Sequence, residues 1–170
     1  MEHLLPTIDL LAEGKIASDS VGLKVYKASY TNSDDVHLLM VKDQAEKYIL
    51  ATGIGQLYDD LEGTSIGGKG KACPLTYENR LVLNRYFDYT APRAFGTKIA
   101  TIGLGDRLGL ASPGHIETVQ GKAIKPVLAQ QSIRELTLTN RSMTDMLEAA
   151  AFAVFQEGYK GGYGAEGDNI

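Results

Sequence analysis

One cysteine, Cys73, in 170 residues excludes an intrachain disulfide and suits a reducing compartment. A lone thiol reads more simply as a small buried apolar group than as a nucleophile. No apolar run approaches the roughly 20 residues of a membrane-spanning helix. The opening Met1-Glu2-His3-Leu4-Leu5-Pro6 lacks the basic stretch and sustained apolar core of a secretion signal, so a cytoplasmic protein is expected. Basic excess is missing too. The net charge is −4 with both signs interspersed, which makes neither nucleic acid nor a membrane surface an expected partner. His3, His37 and His115 are scattered, with no His/Cys cluster or H-x-x-x-H pair, so the sequence holds no self-sufficient metal site.

What is present reads as globular: 44% hydrophobic and 22% charged residues. Residues 1–95 form a small α+β region. Leu23–Tyr30 alternates as a half-buried strand, and Thr31–Asp35 is a turn. Val36–Val41 and Tyr48–Thr52 are two further strands, joined by a loop over Asp43–Lys47. Gly53–Gly70 is rich in glycine and poor in pattern, so a long loop is expected there. Tyr77–Phe87 returns to helical character.

The grammar changes in 96–170. Ile99–Gly105 is a short strand that runs into Asp106-Arg107-Leu108-Gly109. Ser112 is expected to cap a helix with Pro113 at its first position, running to Val119 and stopped by Gly121. Pro126–Ala129 is a buried strand ending in the polar cluster Gln130 to Glu135. Ser142 with Asp145 predicts a capped helix whose stripe is Met143, Leu147, Ala150, Ala151 and Val154, ended by Gly158. A third strand is expected from Tyr163 to Asp168. Strand, helix, strand, helix, strand predicts parallel βα units, and such sheets bind ligands at the carboxyl ends of their strands.

The candidate site residues follow from that placement. Arg107 and Arg134 offer planar donor forks for a carboxylate. Gln130 and Gln131 can read hydroxyl groups, and Glu135 lies among them. His115, at a helix start near a strand end, either meets substrate or caps its turn. Asp168 at the third strand's tip is a candidate base, where partial desolvation would raise its pKa. Gly103-Leu-Gly105-Asp-Arg-Leu-Gly109 has the wrong spacing for a dinucleotide fingerprint. Gly67-Gly68-Lys69-Gly70-Lys71 lacks the phosphate-loop frame, has no strand feeding it and reads as a surface loop.

Gly105-Asp-Arg-Leu-Gly109, Ser112-Pro-Gly-His115, Leu128-Ala-Gln-Gln-Ser-Ile-Arg-Glu135 and Phe155–Asp168 together resemble, in order and spacing, the tagaturonate/fructuronate epimerases of hexuronate breakdown. The resemblance covers roughly residues 95–168. It implies a longer, metal-dependent enzyme on a TIM-barrel-like fold that interconverts D-tagaturonate and D-fructuronate. This chain would then carry the first βα units of an incomplete barrel. The family segment similar to Gly164-Ala-Glu-Gly-Asp168 ends in Asp-His, a proton acceptor and a metal ligand. Asp168 matches the acceptor. Asn169 stands where the His ligand would be and is a poorer ligand for a transition metal. The divalent cation implied for the full-length family is therefore not expected on this chain alone.

The implied reaction inverts a carbinol carbon not adjacent to the ketone, so removing an α-proton cannot achieve it. Retro-aldol cleavage and re-formation of the carbon–carbon bond can, and a hydride shift stays open as an alternative. The chain alone is expected to be inactive. The rival expectations are a stand-alone binding or oligomerisation module, with the incomplete barrel burying its edges against a second copy, and another sugar-acting barrel enzyme such as an aldolase.

Overall fold

The computed structural model describes residues 1–167. The chain divides into two compact units, Met1–Tyr86 and Phe87–Ile170. Both mix helix and sheet, and among the described residues no sheet closes into a barrel.

The first unit opens with helix α1 (Leu5–Ala12), whose Ile8 and Leu11 recur at helical spacing with Leu4 just before it, all three buried. Reading the start only against a secretion signal passes over this helix. Strands β1 (Leu23–Ser33), β2 (Val36–Asp43) and β3 (Glu46–Thr52) follow, then helix α2 (Gln56–Asp60), strands β4 (Thr64–Ile66) and β5 (Gly70–Pro74), and helix α3 (Tyr77–Tyr86). The sheet is antiparallel throughout, in the order β1-β2-β3-β5-β4. Leu39, Val41 and Leu50 pack with α1's stripe, Ile66 and Ala72.

The two hairpin turns are tighter than expected. Asn32 and Ser33 pair with His37 and Val36, and Asp43 pairs with Glu46, so each turn shrinks to two residues. A left-handed residue opens each turn: Asp34 at φ 52° and Gln44 at φ 53°. The expected long loop over Gly53–Gly70 instead holds α2 and β4. The Gly67-Gly68 stretch is the turn of the β4–β5 hairpin, so a strand does feed it. Strand–turn–strand is still not a phosphate loop, and Lys69 is paired with Asp9.

The second unit contains β6 (Thr101–Gly105), α4 (Ser112–Val119), β7 (Lys125–Gln131), α5 (Ile133–Thr139), α6 (Met143–Gln156) and β8 (Gly164–Gly167). The three strands pair in parallel, β6-β7-β8, with β7 in the centre. Leu128 sits in a core with Ile116 and Val119 of α4 and Met146, Ala150 and Val154 of α6. The α6 stripe therefore begins at Met146, one turn of the wheel away from the expected Met143, which is exposed.

Two local expectations need correction. Ser112 is the first residue of α4 and not its cap; the preceding Ala111 provides no side-chain oxygen, and another residue fills that role. The polar cluster after β7 is partly helix: Ser132 and Glu135 form a capping box that opens α5. The capping box of Ser142 with Asp145 at α6 is present as expected. The Ser142 backbone N–H, then its hydroxyl, hold the Asp145 carboxyl below the usual range.

Candidate functional site at the carboxyl ends of the parallel strands

The loop from β6 into α4 is organised by Asp106. Its buried carboxylate accepts from the amides of Leu110, Ala111 and Ser112 at 3.0, 2.8 and 3.1 Å and from the Ser112 hydroxyl. A helix start leaves its first N–H groups without partners, and an anion there is favoured. Asp106 thus supplies the cap that Ser112 does not. It also fills the place a bound pyrophosphate would take, which gives a physical reason against the dinucleotide reading.

A second brace ties that loop to β7 and α6. The Gln131 side chain is 2% exposed. Its amide nitrogen donates to the Arg107 carbonyl and its oxygen accepts from Arg141 Nη1, each at 2.6 Å. The Arg141 guanidinium lies over Gly109, whose φ of 70° and missing Cβ make room for it. Neither Asp106 nor Arg141 stood out as a functional residue in the sequence. The available signal was an Asp six residues ahead of a capless helix start.

Arg107 projects outward, its side chain 83% exposed, and pairs through Nε with Glu135 Oε1 at 2.8 Å. The other Glu135 oxygen accepts from the Ser132 amide, completing the α5 capping box. One carboxylate thereby fixes a helix start and orients a guanidinium. Arg134 is exposed on α5 and forms no ion pair among the described residues. His115 stands half-buried on α4 with Nδ1 buried and unpartnered, so the structure does not give it the capping role. Gln130 lies at the carboxyl end of β7 with its carboxamide against Gly103. The structure thus brings Arg107, Gln131 and Glu135 together and sets Gln130 at the neighbouring strand end. Asp168 and Asn169 lie outside the described residues.

The donor set among the described residues does not fit a metal. Among the described residues no group of three or more His, Cys, Asp and Glu side chains is drawn together. Asp106 is committed to the α4 start, and Glu135 to its cap and Arg107. His3 pairs with Asp43, and His37 with the Tyr30 hydroxyl. Among the described residues no helix is long and apolar enough to cross a membrane.

Known proteins of one family are similar to this chain. The family model described as tagaturonate epimerase matches residues 26–170. The tagaturonate/fructuronate epimerase of Thermotoga maritima is 35% identical over 156 residues, covering 88% of this chain and 31% of the relative. Crystal structures of fructuronate-tagaturonate epimerase from Cohnella laeviribosi, one native and one with glycerol, are 50% identical with TM-scores of 0.86. They cover 100% of this chain, which covers 33% of theirs, so the chain spans about a third of the length of these relatives. A family model matching most of the chain, and a structural match over all of it, place this chain in the tagaturonate epimerase family.

Proposed function

We propose that this chain is part of an epimerase that interconverts D-tagaturonate and D-fructuronate, and that it is inactive on its own. Family membership supplies the reaction class. The observation that carries the reading further is the parallel β6-β7-β8 sheet with Arg107, Gln130 and Glu135 at its carboxyl ends. In βα folds that edge is where ligands bind. On this reading the three strands begin a TIM-barrel-like sheet whose remaining strands the rest of the protein supplies, in a cytoplasmic enzyme.

The candidate side chains divide the tasks in that scheme. The Arg107 fork holds the substrate carboxylate, with Glu135 fixing its direction and Arg134 nearby. Gln130 reads a hydroxyl, since a carboxamide both donates and accepts. His115 on α4 is a further substrate contact. Asp168 accepts a proton. The divalent cation that the resemblance implies would supply electrophilic polarisation of the ketone, held by side chains other than those described. A homo-oligomer is a further element of the proposal.

The test is direct. The full-length protein carrying this chain is assayed with each keto-uronate, with and without added divalent cation. Interconversion is expected, and none from the 170-residue chain. A full-length protein inert toward both substrates overturns the reading.

A further inference from the structure

Side chains in a strand alternate between faces, so Leu128 and Gln130 of β7 should share one. They do not. Ala129 adopts a left-handed backbone, φ 54°, in the middle of the central strand. The register with β6 runs from Gly103↔Val127 to Gly105↔Gln130, and that with β8 from Leu128↔Ala165 to Gln130↔Glu166. Ala129 is passed over on both sides. This is a β-bulge, and its effect is to put Leu128 and Ala129 together in the core beneath the helices. Gln130 then turns to the opposite face.

That face has been kept low to receive it. Gly103, Val127 and Gly164 share one register row. A Cβ at Gly103 would stand 2.7 Å from Gln130 Oε1 and 2.8 Å from Nε2, closer than any real Cβ contact. The carboxamide therefore occupies the space that the missing side chain leaves. A non-glycine residue held left-handed persists only where its surroundings dictate it, and such residues gather at functional sites. Alanine retains a Cβ for the helix-side core, where Ala129 is 4% exposed.

We propose that Ala129 and Gly103 are positioning residues that aim the Gln130 carboxamide at a substrate hydroxyl on the face away from α4 and α6. The hydroxyl-reading role rests on the function proposed above, but the aiming does not. In the 170-residue chain, the side-chain amide resonances of Gln130 are expected to move on Gly103→Ala. Those of Gln131, held by Arg141 and the Arg107 carbonyl, stay in place. Unmoved Gln130 resonances overturn the aiming.

In the full-length enzyme, Gly103→Ala and Gln130→Ala are each expected to raise KM about tenfold, the worth of one hydrogen bond, with kcat within about twofold. The double variant is expected to match Gln130→Ala alone, because Gly103 acts through that side chain. Additive losses overturn the aiming, and wild-type kinetics in Gln130→Ala overturn the hydroxyl-reading role. An inert wild-type enzyme overturns the proposed reaction and with it the role of Gln130, while the resonances still decide the aiming.

Discussion

Arg141 reaches from the turn before α6 to the end of the central strand and donates Nη1 to the buried Gln131 oxygen at 2.6 Å. Its Nη2 donates to the Asp145 carbonyl at 3.2 Å. Through Gln131 the same arginine governs the carbonyl of Arg107, the residue proposed to meet substrate. Three segments distant in sequence are fixed at one point.

That arrangement sets a cost for Gln131→Leu. The substitution keeps the volume but strips partners from the Arg141 guanidinium and the Arg107 carbonyl. Leaving these part-buried groups without their partner costs about 1 kcal/mol, measurable as a fall in the urea midpoint. A midpoint within error of wild type would show that Gln131 does not brace the loop.

Glu135 separates structure from function. Gln at this position still serves a capping box, so Glu135→Gln is expected to stay within about 0.5 kcal/mol of wild type, since an exposed ion pair contributes little. Glu135→Ala also removes the reciprocal half of the capping box, the bond from the Ser132 amide, and costs about 1 kcal/mol. In the full-length enzyme both variants release Arg107 and raise KM. Stability that falls equally in both, with KM unmoved, would argue against an orienting role.

Much of this was legible because it was local. The βα order of the second unit follows from short apolar strands, the Ser142 box and glycine stops, and the parallel pairing follows from that order. The candidate cluster was legible in location: Arg107, Gln130, Gln131 and Glu135 do fall at strand ends. Their division of labour was not. Ser132-x-x-Glu135 carries a capping signature, yet two glutamines and two charged residues side by side look equally like a binding set. Which face Gln130 takes and which Gln131 takes depends on the bulge at Ala129, and nothing in an alanine announces a left-handed backbone. The role of Asp106 depends on a loop folding back onto its own helix, which spacing alone does not encode. The small elements between Gly53 and Gly70 escaped because dense glycine masks three-residue strands.

Cys73 gives a pH dependence with a definite sign. Burial pushes its thiol up to about 12 from 9.0. The folded state favours the protonated thiol, so its contribution is full below pH 9 and is lost as pH rises toward 12. Relative to Cys73→Ala, the wild-type chain is expected to lose about 3 kcal/mol of stability by roughly pH 11. Urea midpoints of the two proteins across that range measure it, and parallel curves would refute it. At neutral pH the native thiol should resist alkylating reagents until the chain unfolds.

Asp106 is the sharpest test of how the site's scaffold is held. Its carboxylate spans three successive amides, Oδ1 on Leu110 and Oδ2 on Ala111 and Ser112. Asparagine can keep its oxygen on the second pair but then turns an NH2 group toward Leu110. Asp106→Asn should therefore free the Leu110 amide to exchange with solvent while Ala111 and Ser112 stay protected. Asp106→Ala should expose all three and cost about 2 kcal/mol, the upper range for losing a helix cap. Hydrogen exchange at these amides reads both outcomes. If all three remain protected in the alanine variant, α4 is held by its packing against α6, and the Asp106 carboxylate is not what fixes the loop that carries Arg107.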